Sequence, residues 1–215
     1  MTKPRVILAD DHSLVLAGLR RLVEEQCMVV GMVEDGRTLV EAAQKLRPDL
    51  ILMDIAMPLL NGLEAARQLS KLVPESKLIF LTMHASPTYA AEAFQAGASG
   101  YLLKRSAASE LSQAIQSVLR GQHYITPLIT KDVLDSVLKP STGERDKPTS
   151  IALTARQREV LQLVAEGRNT KEVATILSVS VKTVEFHKSR IMQKLDIHTT
   201  ADLTKYAITH GITGL

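Results

Sequence analysis

The stretch Leu50-Ile-Leu-Met-Asp54-Ile-Ala-Met-Pro58 decides how the chain is read. Four apolar residues, Leu50 to Met53, end abruptly in a carboxylate, and Pro58 and Gly62 break the pattern soon after. A short run that is apolar on both faces and bounded by turn residues predicts a central parallel strand covered by helices on both sides. Asp54 then falls at the strand's carboxyl end, where open α/β sheets place their ligand crevices. A second apolar run, Val6 to Ala9, ends in Asp10 and Asp11. Charges at the tips of buried strands are costly unless they have partners. Three carboxylates converging on one crevice repel one another and invite a hard divalent cation with oxygen ligands.

Outward from that stretch, strand-like and helix-like segments alternate. Arg5 to Ala9 is short and apolar, and Leu14 to Val23 has helical spacing through Leu16, Leu19 and Leu22. Met28 to Val33 reads as a strand and Thr38 to Leu46 as an amphipathic helix. A helix from about Gly62 to Leu72 follows the central strand. Lys77 to Leu81 and Ser99 to Leu103 are further strands, each followed by a helix, Tyr89 to Ala96 and Ala107 to Arg120, the last closed by Gly121. Five β-α units with short loops predict an α/β fold, a five-stranded doubly wound parallel sheet of the flavodoxin-like kind.

The strand ends carry the chemistry. The fourth strand ends in Thr82, and the fifth in Tyr101-Leu-Leu-Lys104. A hydroxyl and an ammonium at neighbouring strand ends, facing an acidic triad, suit a phosphoryl group. Asp54 is the candidate nucleophile, because carboxylates form acyl phosphates. A strand-end Asp or Thr alone is usually a turn former, and a single Lys a solvated charge; four strand ends acting together are not explained that way.

Residues 4 to 121 resemble a response-regulator receiver domain, which carries an acidic pair, an aspartate followed by x-x-Met-Pro, a Ser/Thr and a Lys in this order. The resemblance implies that Asp54 is the phosphoacceptor. It implies that Asp11, Asp54 and the backbone carbonyl of Ala56 hold Mg²⁺, with Asp10 assisting through water. Lys104 would contact the phosphoryl group, Thr82 would move to hydrogen-bond it, and Tyr101 matches the aromatic position whose rotamer follows that hydroxyl. Met83 and Arg105 depart from the commonest pattern, which has a smaller residue and a proline there.

The totals agree with a two-part chain. At 215 residues it holds one large domain or two small ones. No apolar run approaches a bilayer span, and Met-Thr-Lys-Pro-Arg leads straight into a strand, so a cytoplasmic protein off the membrane is expected. One cysteine, Cys27, rules out an internal disulfide and a cysteine metal cluster. From Ile151 onward nine Lys/Arg face six acids, whereas the remaining 17 bases and 17 acids cancel, so all the excess positive charge lies in the last third. An anion-binding module requires that placement.

Between the two parts, Asp132 to Leu138 has the spacing of a short amphipathic helix. Pro140-Ser-Thr-Gly-Glu-Arg-Asp-Lys-Pro-Thr-Ser150 is polar, charged and proline-flanked, which predicts a flexible hinge. The division expected is a receiver over 1–121, a linker over 122–150 and a DNA-binding domain over 151–215.

In the last part Thr154 is an N-cap with Gln157 at the capping-box position. Asn169 or Thr170 caps a second helix, Ser178-Val-Ser180 makes a tight turn, and Ser180 caps a third helix running to about Leu195. Two short helices joined by a few residues, the second basic, form a helix-turn-helix, and Thr200 to His210 supplies a fourth helix. On the third helix Val184, Ile191 and Leu195 share the core face. Residues 153 to 212 resemble the LuxR-type helix-turn-helix through Leu153-Thr-x-Arg-x-x-Glu-Val-Leu161, Ala165-Glu-Gly167, Lys171-Glu-Val-Ala174, Lys182-Thr-Val-x-x-His187 and Ile191-Met-x-Lys-Leu195. The resemblance implies backbone contacts from Lys182 and Thr183, base reading by Glu185, Phe186 and Ser189, further phosphate contacts from Lys188 or Arg190, and dimerisation through the fourth helix. His187 would be structural or backbone-contacting.

Together the halves are similar to a NarL/FixJ-type response regulator. That implies phosphoryl transfer from a sensor histidine kinase to Asp54 with Mg²⁺, and from it homodimerisation and binding to double-stranded DNA half-sites to regulate transcription. It implies no enzyme in the turnover sense. Two other readings compete. An Mg²⁺-dependent phosphotransferase or phosphatase with an aspartyl nucleophile would need a substrate pocket or a second acid two residues after the nucleophile, where Ala56 stands. A receiver fold without phosphorylation, working as a constitutive DNA-binding dimer, is opposed by the complete acidic and Thr/Lys set.

Overall fold

The computed structural model describes residues 3–138 and 153–213. Among the described residues the chain forms two compact units; the first holds the strands and the helices up to Leu138, the second the helices from Ala155 onward.

In the first unit β1 (Arg5–Ala9), β2 (Met28–Val33), β3 (Leu50–Met53), β4 (Lys77–Thr82) and β5 (Gly100–Leu103) alternate with α1 (Ser13–Val23), α2 (Gly36–Leu46), α3 (Gly62–Leu72), α4 (Pro87–Gln95) and α5 (Ala107–Leu119). All pairings are parallel, in the order β2-β1-β3-β4-β5. Side chains alternate across the sheet. Val6, Leu8, Leu50, Leu52, Ile79, Leu81 and Leu102 form one core with Leu16 and Leu19 of α1 and Leu111, Ile115 and Val118 of α5. Residues of the other parity, including Ile7, Ile51, Met53 and Phe80, are buried too. Both faces of β3 are therefore covered, which is why its sequence shows no polar alternation. Gly121, at φ +82°, takes the left-handed position just past α5, as expected.

The sheet has a sixth strand, β6 (Tyr124–Ile125), pairing with β5, and then a helix, α6 (Pro127–Leu138). The sequence reading has five strands and a helix only from Asp132. A two-residue strand has no periodicity to detect; its place is set by long-range pairing. Thr126, fully buried between β6 and α6, accepts the Leu103 N–H through its hydroxyl (3.1 Å) and donates its own N–H to the Tyr101 carbonyl (3.0 Å). Pro127 opens α6, where the absent N–H costs nothing. The proposed hinge, Pro140 to Ser150, lies outside the described residues.

The second unit consists of α7 (Ala155–Ala165), α8 (Thr170–Ile176), α9 (Val181–Leu195) and α10 (Thr200–Thr209). The sequence-level caps are present. Thr154 and Gln157 form the first capping box, and Asn169 caps α8 with Glu172 completing a second box. The Ser180 hydroxyl accepts the Thr183 N–H. Val160, Leu161, Leu163, Val173, Val184, Ile191, Leu203 and Ala207 form its buried core, with Leu195 partly buried against it.

Candidate functional site

Strand register assembles the site of the first unit. The strand order reverses between β1 and β3, and Ala9 pairs with Met53, so Asp10 and Asp54 leave adjacent strand ends at the topological switch point. Thr82 pairs with Leu103, which sets Lys104 one residue beyond it.

Lys104 joins the acidic residues. Its Nζ lies 2.6 Å from Asp54 Oδ2 and 2.7 Å from Asp10 Oδ2. Asp10 is fully buried and Asp54 is 6% exposed. Backbone groups hold both carboxylates: the Ile55 N–H donates to Asp54 Oδ1 (2.6 Å) and the His12 N–H to Asp10 Oδ1 (3.0 Å). Burial pushes the Asp54 carboxyl above its ordinary value, against the pull of Lys104 and the Ile55 N–H. Burial alone would lower Lys104, but Asp10 and Asp54 outweigh it, and the ammonium is held above its usual value. The lysine is thus charged and fixed at Asp54.

Thr82 is fully buried at the end of β4, and its hydroxyl accepts the His84 N–H (3.1 Å). The Tyr101 hydroxyl donates to the His84 carbonyl (2.8 Å), and the ring is fully buried. Burial first, then Tyr89 and Asp54, raise the Tyr101 phenol, which stays a neutral donor. Met83, between Thr82 and His84, is 72% exposed, so its side chain stands in solvent.

Gly62 is required at the start of α3. A Cβ there would run into the Asp54 carbonyl, and the Gly62 N–H donates to the Ile55 carbonyl (2.8 Å). Gly62→Ala must displace the loop carrying Asp54, the candidate nucleophile. Misplacing a reacting group by an ångström costs about 10²-fold, so phosphoryl uptake from acetyl phosphate should slow on that order, while circular dichroism shows the unit still folded.

The donor set fits a hard divalent cation. Asp10 Oδ2 is buried with no aligned hydrogen bond, Lys104 faces the carboxylates of both Asp10 and Asp54, the His12 ring lies 3.4 Å from Asp10 Oδ1, and Asp11 stands beside them. Ligand atoms of Asp10, Asp11 and His12 lie within 4.8 Å of one another; Asp54 is not in that group and meets Asp10 across the lysine. His12, whose Nδ1 is 2.7 Å from Asp11 Oδ1, escaped the sequence reading, since a histidine after two acids has no periodic or pairing signature. The Met57 and Gly62 N–H groups both donate to the Ile55 carbonyl, closing the loop that follows Asp54.

In the second unit α9 presents Lys182, Glu185, Phe186, Ser189 and Arg190 to solvent, while Val184 and Ile191 are buried. Thr183 is half-buried, its hydroxyl 2.8 Å from that of Ser180, and Lys188 is tied to Thr200 at the start of α10 (3.0 Å). The Arg190 guanidinium lies 5.5 Å from the centre of the Phe186 ring, and the half-buried His187 meets that ring edge-on. Lys182, Glu185, Phe186, Ser189 and Arg190 of the expected recognition face are therefore exposed, while Thr183 and Lys188 are half-buried, and Thr183, Lys188 and Arg190 each have a partner within the unit.

Two family descriptions match. Residues 6–116 match the response regulator receiver domain, and residues 152–207 match the bacterial regulatory proteins of the luxR family. These define the class, a response regulator with a receiver and a LuxR-type DNA-binding domain. The chain is 36% identical over 209 residues to the response regulator UvrY of Escherichia coli K12, covering 96% of this chain and 94% of that one. It is 36% identical to the oxygen regulatory protein NreC of Staphylococcus carnosus, covering 95% and 96%. Among solved structures, the RcsB response regulator of Salmonella typhimurium matches with TM-score 0.65 and 28% identity over the whole of both chains. The structure of the RcsB–DNA complex matches with TM-score 0.58 and 28% identity, covering 95% and 98%. The chain belongs to the NarL/FixJ-type response regulators of two-component systems.

Proposed function

We propose that Asp54 accepts a phosphoryl group from a sensor histidine kinase and that this controls DNA binding by the C-terminal unit. The observation that carries the reading is Lys104, fixed between Asp54 and Asp10 at hydrogen-bonding distance from both. An Asp54 carboxylate oxygen forms the new bond to phosphorus as the bond from phosphorus to the donor's histidine nitrogen breaks. Lys104 follows the negative charge onto the phosphoryl oxygens, and the Thr82 hydroxyl turns from the His84 N–H to donate to one of them. Asp10, Asp11, Asp54 and the Ala56 carbonyl would hold Mg²⁺, which when bound supplies charge neutralisation at the phosphoryl oxygens.

Lys182, Thr183, Lys188 and Arg190 serve DNA phosphates, while Glu185, Phe186 and Ser189 face base edges in the major groove. A dimer places two such helices on successive half-sites; dimers of the similar RcsB bind DNA in one solved structure. We take the chain as a receiver over 1–121, a linker over 122–150 whose first part folds as β6 and α6, and a DNA-binding domain over 151–215. We place it in the cytoplasm with its DNA; among the described residues no helix is long and apolar enough to cross a membrane. We assign it no catalytic turnover.

The test combines solution mass with retention on sheared duplex DNA, with and without Mg²⁺ and beryllofluoride, which together mimic an aspartyl phosphate. Dimer fraction and retention should both rise, and Asp54→Ala should abolish the gain. Equal retention in every condition would overturn the reading.

A further inference from the structure

The proposed reaction leaves β6 and α6 without a role, yet they are fastened to the two regions that the site moves. One anchor is the end of β5. Thr126 accepts the Leu103 N–H and donates to the Tyr101 carbonyl, and Leu103 immediately precedes Lys104. Both bonds are buried, where a lost partner costs most. The other anchor is α4. Helix α6 packs with α4, and Ile129 and Val133, four residues apart on one face, are buried. Phe94 of α4 also meets His123, just ahead of β6, edge-on at 5.6 Å.

Helix α4 is in turn tied to Thr82 through His84. The His84 N–H donates to the Thr82 hydroxyl, the Tyr101 hydroxyl donates to the His84 carbonyl, and the His84 ring stacks on Tyr89 of α4 at 4.7 Å. Turning the Thr82 hydroxyl toward a phosphoryl group takes its oxygen from the His84 N–H. His84, Tyr101 and Tyr89 must then readjust together, because each holds another. Thr82 and Lys104 are thus linked to α6 by separate routes, one through α4 and one through Thr126. Packed elements of this kind have discrete arrangements and do not deform continuously.

We infer that α6 is the output arm of the receiver: Thr126 and the face carrying Ile129 and Val133 hold it down on β5 and α4, and phosphorylation of Asp54 loosens that hold. This rests on the reading of Asp54 as phosphoacceptor. Thr126 is a positioning residue that touches no reacting atom. Among the described residues α6 is the helix that precedes the DNA-binding unit in chain order.

The experiment is amide hydrogen exchange on the full chain with Mg²⁺, with and without beryllofluoride, read over residues 127–133 with α2 as the unaffected control. Beryllofluoride binding is followed independently by ¹⁹F NMR. Exchange over 127–133 should quicken by about tenfold, the equivalent of one net hydrogen bond. Thr126→Val should raise exchange there without beryllofluoride and leave little further response, while beryllofluoride still binds. Thr126→Ser, which keeps the hydroxyl, should restore the response. Bound beryllofluoride with unchanged wild-type exchange over 127–133 would overturn the inference and leave the phosphoacceptor reading standing. Absence of beryllofluoride binding would remove both. Should Thr126→Val fail to fold, the wild-type comparison still decides.

Discussion

Asp54→Asn should reduce phosphoryl uptake from acetyl phosphate to background, measured as acid-stable, hydroxylamine-labile label on the chain. An amide has nearly the shape of the carboxylate and the same place at the end of β3, but its oxygen is a poor nucleophile and cannot form the acyl phosphate. The buried surroundings sharpen the expectation. Asp54 is 6% exposed, and its Oδ2 is the atom that Lys104 approaches at 2.6 Å. Asp10 Oδ2 shares the lysine at 2.7 Å, but Asp10 is fully buried and pinned by the His12 N–H, and Asp11 carries its contact to His12 in the open. Lys104 keeps Asp10 as partner in the variant, so the first unit should remain folded, which a thermal melt would verify. Uptake by Asp54→Asn equal to wild type would remove Asp54 from the centre of the site.

Val184→Asp should unfold the second unit and leave the first able to take up phosphoryl groups. Val184 is 1% exposed in a core with Val160, Leu163, Val173 and Ile191. A carboxylate there would be set among these apolar side chains. The expected cost is about 4 kcal/mol or more, since an unpaired buried charge is among the few changes that exceed the usual mutational range. For a unit of this size that is a large share of the total stability. Circular dichroism should lose the helical signal of the last four helices, and DNA retention should disappear. Uptake at Asp54 should persist, because the core around β3 is a separate cluster. Simultaneous loss of phosphoryl uptake would show that the two units do not fold independently. Lys182→Ala, by contrast, removes one exposed charge and should weaken DNA retention uniformly across sequences, with a shallower salt dependence.

Much of this was legible before any coordinates. Leu50 to Met53, apolar without alternation and bounded by turn residues, read as a strand covered on both faces, and the aspartates at strand tips called for partners. Thr154, Asn169 and Ser180 could be read as caps because a cap is a bond between near neighbours, and the period of Val184, Ile191 and Leu195 marked the inner face of α9 for the same reason. The chain also carried its positive charge in the last third, which no folding alters.

Other features depended on residues far apart in the chain being brought together. Nothing near Tyr124 announces a strand; two residues pair with β5 because Thr126 reaches Leu103 and Tyr101 across more than twenty positions. Gly62 read as a turn former, whereas its need is the Asp54 carbonyl lying where a Cβ would be. His84 carried no signal, yet it links Thr82, Tyr101 and Tyr89. Thr183 and Lys188 stood in a motif as free contacts and proved to have partners of their own. Sequence by itself determined the elements, the two-part organisation and the set of chemical groups, because periodicity, capping and charge are properties of neighbouring residues. Only the tertiary structure decided which oxygen meets which ammonium and where β6 and α6 dock, because those contacts follow from the register between strands that the chain separates.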